Sequence, residues 1–177
     1  MSELRAARRM SLWVLPLAVG ACGASVQSIY ALQAPRYASA LRRHNISFAR
    51  SPRHADVVLV AGALTQGARE RVQRLLAGIP RPRAIIAVGN CAIDGCIFGG
   101  SERLVASAAE IIGANVEIAG CPPAPEQILS SIVTARRLLT GEGEPEAGVM
   151  ADGVERGGHE DGDALAPASE GHEEVGE

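Results

Sequence analysis

Four residues of this chain have the type and placement to do chemistry: Cys22, Cys91, Cys96 and Cys121. Three of them share a setting, "AVGAC", "AVGNC" and "IAGC", each just after an apolar run that reads as a β-strand. In a parallel sheet such positions lie at one edge, the carboxyl end, where α/β proteins gather ligands at the reversal of strand order. Cys22, Cys91 and Cys121 can therefore converge although they are far apart in sequence. Gly20, Gly89 and Gly120 precede them closely. Glycine lets backbone approach a bulky centre and directs N–H groups at negatively charged sulfur. Thiolates gathered around a soft metal suit an iron–sulfur group or zinc. A zinc site made from all four cysteines would be tetrahedral and redox-silent. The bland alternative is that these are small buried hydrophobes. A disulfide framework does not suit a chain that can build its own core.

The elements that must position these residues follow from periodicity. "LWVLPLAV" (12–19) is a continuous apolar run, as expected of a strand covered on both faces. Residues 24–32 have a helical pattern stopped by Pro35, and 38–44 suit a short second helix. "ISFAR" (46–50), "ADVVLVAG" (55–62), "RAIIAVG" (83–89) and "NVEIAG" (115–120) read as strands. Helices are expected at about 67–77, at 101–112 with Ser101 as N-cap, and at 124–139. In the helix at 67–77, Glu70 and Arg74 form an i,i+4 pair. The order βα(β)βαβαβα implies a three-layer, flavodoxin-like α/β fold with a mainly parallel, doubly wound sheet.

Composition sets the limits. The chain has 177 residues, 47% hydrophobic but only 3% aromatic, so its core is aliphatic. All 17 basic residues are arginine. Residues 1–140 carry a net charge of +8, and the Gly- and acid-rich segment from Gly141 carries −11. Three segments are expected: a basic N-terminal arm (1–11), one α/β domain (12–140) and a disordered acidic tail (141–177). Basic residues without interleaved aromatics and without a nucleic-acid motif argue against a nucleic-acid partner. No apolar run reaches the ~20 residues a membrane span needs. "LPLAVGACGAS" (15–25) has an export-signal reading, with Cys22 as a lipid-anchor site. That reading would delete the first strand of an otherwise complete sheet, so a strand delivering a ligand is expected instead, in a cytoplasmic protein. His44, His54, His159 and His172 have no metal spacing and are expected at the surface. No general base or nucleophile stands out, so the chain is not expected to be an enzyme alone.

Four stretches, "LQAPRY" (32–37), "SPRHADVVLVAG" (51–62), "VGNCAIDGCIFGGS" (88–101) and "GCPPAPEQIL" (120–129), carry a family likeness. The chain resembles the small, electron-transferring subunit of membrane-bound nickel–iron hydrogenases of the formate-hydrogenlyase type. Those subunits are homologous to the 20-kDa, B-type subunit of NADH:quinone oxidoreductase. The resemblance spans residues 12–140. It implies one 4Fe–4S cluster beside a larger catalytic partner, with Cys22, Cys91 and Cys121 as ligands. It also implies attachment to the inner membrane through partner subunits. The family's second cysteine falls on Ser25, a family glutamate on Ser28, and a family glycine on Cys96. The fourth ligand is then Ser25 or Cys96, or the site has decayed and the chain is a structural subunit.

Overall fold

The computed structural model describes residues 11–20, 23–105 and 107–141. Cys22 lies outside the described residues, as do nearly all of the arm and the tail. Five strands, β1 (Leu12–Ala18), β2 (Ile46–Phe48), β3 (Val57–Ala61), β4 (Ala84–Val88) and β5 (Val116–Ile118), form one sheet. Their order is β2-β1-β3-β4-β5, and every pairing is parallel. This is the flavodoxin-like order, with its switch point between β1 and β3.

The apolar runs are continuous because both sheet faces are covered. Along β3, Val57, Leu59 and Ala61 join one core with Ile29, Ile86, Ile128 and Ile132. Val58 and Val60 join the other, with Val72, Leu76, Ile85 and Ile112. Helices α1 (Ala24–Ala31) and α6 (Pro125–Thr140) cover the first face. Helices α3 (Gln66–Ala77) and α5 (Ala108–Ile112) cover the second. The short α2 (Ala38–Arg43) leads into β2. Thr65 caps α3 by accepting from the Ala68 N–H at 3.3 Å. The Glu70–Arg74 pair forms at 3.9 Å, with both side chains exposed.

Pro16 sits inside β1, a strand with neighbours on both sides. The Leu12 N–H bonds toward β2, to Asn45 O, and the Val19 N–H toward β3, to Ala61 O. By alternation the Pro16 nitrogen faces the β2 side. Pairing to β2 ends at Val14, so no ladder bond is lost there.

One expected element is corrected. The helix expected at 101–112 spans only Ala108–Ile112, and its N-cap is Ser107, which accepts from the Glu110 N–H at 3.2 Å. Ser101 instead accepts from the Arg103 N–H, and Leu104 forms an antiparallel bridge to Thr65. The Val105 N–H bonds Leu64 O, and the Gln66 N–H bonds Arg103 O. Backbone groups in the loop after β3 need partners, and that tertiary demand outweighs the helical spacing of Leu104 and Val105. His54 is exposed as expected, whereas His44 is half-buried, where its carbonyl accepts from Arg136.

Candidate metal centre at the carboxyl edge of the sheet

Strands β1, β3, β4 and β5 all end at one edge, and each is followed by glycine: Gly20, Gly62, Gly89 and Gly120. Gly20, Ser25, Gly62, Cys91 and Cys121 line a single recess there. It holds about 280 Å³ of atom-free space, its open mouth included.

Cys91 is the second residue of α4 (Asn90–Ile93) and is buried. Cys121 is exposed, at the rim. The two loops that carry them are tied together. The Gly89 N–H donates to Ile118 O at 2.8 Å, and the Asn90 N–H donates to Gly120 O at 3.0 Å. The Asn90 side chain closes the link, its Oδ1 accepting from the Gly120 N–H at 2.7 Å. The only signal of Asn90 in the sequence is its place between Gly89 and Cys91, which does not single it out. Asn90→Ala leaves a part-buried N–H without this partner, at a cost of about 1–3 kcal/mol. Thermal denaturation of the complex is expected to show that loss. The spacing between the Cys91 and Cys121 loops is expected to loosen with it.

After Cys121 the chain is set by prolines. The Cys121–Pro122 bond is cis, and Pro125 occupies the first turn of α6. Gln127 Oε1 accepts from the Ala124 N–H at 2.9 Å, which fixes the entry to the helix. Near this entry Tyr37 donates to Glu126, and the Arg36 guanidinium lies 4.6 Å from the Tyr37 ring centroid. The shared hydrogen bond lowers the Glu126 pKa and raises that of Tyr37. The "APRY" segment is thereby joined to the helix that comes after Cys121.

Ser25 lies in the first turn of α1, behind Gly23 in a left-handed conformation. A Cβ placed on Gly89 would sit 2.5 Å from Ser25 Oγ and 3.1 Å from Gly120 O. Gly89 also has φ +86°, so no side chain is accommodated between Ser25 and the Cys91 loop. Gly62, with φ +103°, is packed against the Gly20 carbonyl, a close approach that the sequence does not announce. Cys96 is not among the residues lining the recess. It starts a 3-10 turn (Cys96–Phe98) with φ +52°, and its N–H donates to Asp94 Oδ1 at 2.8 Å.

The recess thus brings together Cys91, Cys121 and Ser25. Cys22 lies outside the described residues, but Gly20 and Gly23 on either side of it in the chain both line the recess. Among the described residues no three His, Cys, Asp or Glu side chains converge as a metal site. Two thiols lie beside glycines at this edge, where a bulky centre can be approached closely. Thiols are the donors an iron–sulfur group takes, and the Ser25 hydroxyl beside them is a harder donor. Beyond it, Ile97 and Phe98 are 84% and 48% exposed, on the turn after α4. Phe98 also lines a second, larger recess with Ala63, Thr65 and Leu104, of about 520 Å³ of atom-free space with its open mouth included.

The family model described as "NADH ubiquinone oxidoreductase, 20 Kd subunit" matches residues 20–135. The probable membrane-bound hydrogenase subunit mbhJ of Pyrococcus furiosus is 37% identical over 142 residues, 78% of this chain and 84% of that one. The B-type subunit of NADH-quinone oxidoreductase from Rubrobacter xylanophilus is 34% identical over 137 residues, 77% of this chain and 53% of that one. A chain of the membrane-bound sulfane sulfur reductase, an archaeal respiratory membrane complex, superposes with a TM-score of 0.66 at 27% identity. That match covers 79% of this chain and 76% of the other. A chain of an NAD+-reducing nickel–iron hydrogenase superposes at 0.55 with 20% identity, over 76% of this chain and 94% of the other, a likeness of fold. The sheet order, the cysteine-bearing edge and these matches agree: the chain belongs to the family of the 20-kDa, B-type subunit of NADH:quinone oxidoreductase and its membrane-bound hydrogenase counterparts.

Proposed function

We propose that this protein is the electron-transfer small subunit of a membrane-associated hydrogenase-like or NADH:quinone oxidoreductase-like complex. It holds a 4Fe–4S cluster next to a large catalytic subunit. The observation that carries the reading is the convergence of Cys91, Cys121 and Ser25 on one recess beside Gly20 and Gly23. Cys22, Cys91 and Cys121 are the thiolate ligands. When bound, the cluster supplies one-electron redox chemistry. The chain's own part is to hold and orient the thiolates, to direct backbone N–H groups at them, and to keep one side dry. Cys91 lies on the buried side and Cys121 on the exposed rim, so electrons enter or leave across the rim.

The domain of residues 12–140 carries this site, with the basic arm and the acidic tail as appendages. No helix among the described residues is long and apolar enough to cross a membrane. Membrane association is assigned to partner subunits, on the cytoplasmic face of the inner membrane. Anaerobic purification with the large subunit, followed by iron and acid-labile sulfide assays and EPR of the reduced sample, tests the reading. About four irons and four sulfides per chain are expected. An assembled complex without iron would leave a structural subunit with a vestigial site. Stoichiometric zinc without colour would leave a redox-silent one.

The partner's seat is assigned to the exposed apolar pair on the turn after α4. Ile97 is largely exposed and Phe98 half exposed above Ala63 and Leu104, and neighbouring exposed apolar side chains of this kind mark a contact surface. The double variant Ile97→Asp, Phe98→Asp is expected to weaken capture of the large subunit at least about tenfold. The thermal stability of this subunit alone is expected to be unchanged. Undiminished co-purification would remove this face from the interface.

A further inference from the structure

We infer that Ser25, through its side-chain oxygen, is the fourth protein donor to the iron–sulfur group, and that Cys96 is not. This rests on the iron–sulfur reading of the recess. Three observations carry it. Ser25 lines the same recess as Cys91 and Cys121, whereas Cys96 does not. Gly89 leaves the space that Ser25 Oγ occupies, since a Cβ on Gly89 would lie 2.5 Å from that oxygen. Ser25 belongs to the first turn of α1, whose N-terminal N–H groups favour a negatively charged oxygen there.

Cys96 is held elsewhere. Its N–H is bound to Asp94 Oδ1, its backbone is left-handed, and the turn it opens runs on to exposed Ile97 and Phe98. Its left-handed backbone is one that glycine adopts freely, so Cys96→Gly removes the thiol without straining the turn.

On binding iron, Ser25 gives up its hydroxyl proton to solvent, and no electron is exchanged. Oxygen is a harder donor than thiolate and a poorer match to iron in a sulfur environment. The iron it holds is therefore the one most easily lost. The redox potential also differs from that of an all-thiolate site, because ligand type sets it.

The test uses the full-length chain purified anaerobically with its large subunit, as wild type, Ser25→Ala, Ser25→Cys and Cys96→Gly. Iron, acid-labile sulfide, EPR of the reduced and oxidised samples, and the midpoint potential are measured for each. Ser25→Ala is expected to fall from about four irons per chain to about three, with a changed EPR spectrum. Ser25→Cys is expected to keep all four, to resist chelator longer than wild type, and to shift the potential. Cys96→Gly is expected to match wild type in every readout. Loss of iron in Cys96→Gly with Ser25→Ala unchanged would overturn the inference in favour of Cys96. Neither variant losing iron would overturn it in favour of a non-protein donor. Iron in Ser25→Cys but none in wild type would overturn it by showing that serine does not hold the site. Iron absent from wild type would also bring down the iron–sulfur reading of the native chain, whereas iron present in wild type and lost only from Cys96→Gly would leave that reading standing.

Discussion

Cys91→Ala is expected to leave the purified complex with almost no iron and no EPR signal from this subunit. Cys91 is the buried thiol of the recess, on the loop that Asn90 ties to Gly120. On the proposed iron–sulfur reading, removing a thiolate from the buried side deprives the cluster of a ligand that solvent cannot readily replace. The fold itself is expected to survive. Trading a buried sulfur for a methyl-sized side chain costs roughly 1 kcal/mol of burial, a fraction of a domain's usual stability. Far-UV circular dichroism and co-purification with the large subunit are therefore expected to be nearly unchanged while iron disappears. Cys121→Ala is expected to do the same with even less effect on stability, since Cys121 is exposed. Iron retained at the wild-type level in Cys91→Ala would dismiss this recess as the metal centre.

Gly62→Ala is expected to be the most destabilising single methyl addition at this edge. Gly62 is buried, has φ +103°, and presses on the Gly20 carbonyl. The obstacle is backbone at the end of the adjacent strand, so it cannot rotate away as a side chain would. The ends of β1 and β3 must part, and these are the strands that flank the switch point. Left-handed strain and the forced separation together are expected to cost about 3 kcal/mol or more. For a chain of this size that lowers Tm by roughly 6–12 °C. Gly67→Ala, at an exposed position in α3 with no atom within 4 Å of the added methyl, is the matched control. It is expected to be neutral or to stabilise by up to about 1 kcal/mol. A Gly62→Ala protein that melts with wild type would show that the β1 and β3 ends are not held so tightly.

The strands were legible because parallel strands covered on both faces are written as unbroken apolar runs. "ADVVLVAG" and "RAIIAVG" became β3 and β4 within two residues at each end. Helix α6 was legible through its apolar stripe and the proline at its start. The helix expected at 101–112 was not, because Leu104 and Val105 have helical spacing but spend their backbone bonds on Leu64, Thr65 and Gln66. Nothing local in the sequence reports a bond to a residue some forty positions away. Asn90 and Gly62 went unnoticed for the same reason: their roles are contacts with Gly120 and Gly20 across strand ends.

The sequence by itself determined the fold class, the family likeness, and the fact that Cys22, Cys91 and Cys121 each come after a strand. Periodicity is local, and parallel strands with short connections have one edge on which to deliver the residues after them. The choice between Ser25 and Cys96 could not be read that way. Both lie a few residues from a strand end, and spacing does not say which way a turn carries a side chain. Only the tertiary structure placed Ser25 against Gly89 in the recess with Cys91 and Cys121, and turned Cys96 into a loop outside it. The physical reason is steric: side-chain-free backbone at Gly89 leaves room for the Ser25 oxygen, and a left-handed bend at Cys96 takes its segment toward the exposed Ile97 and Phe98.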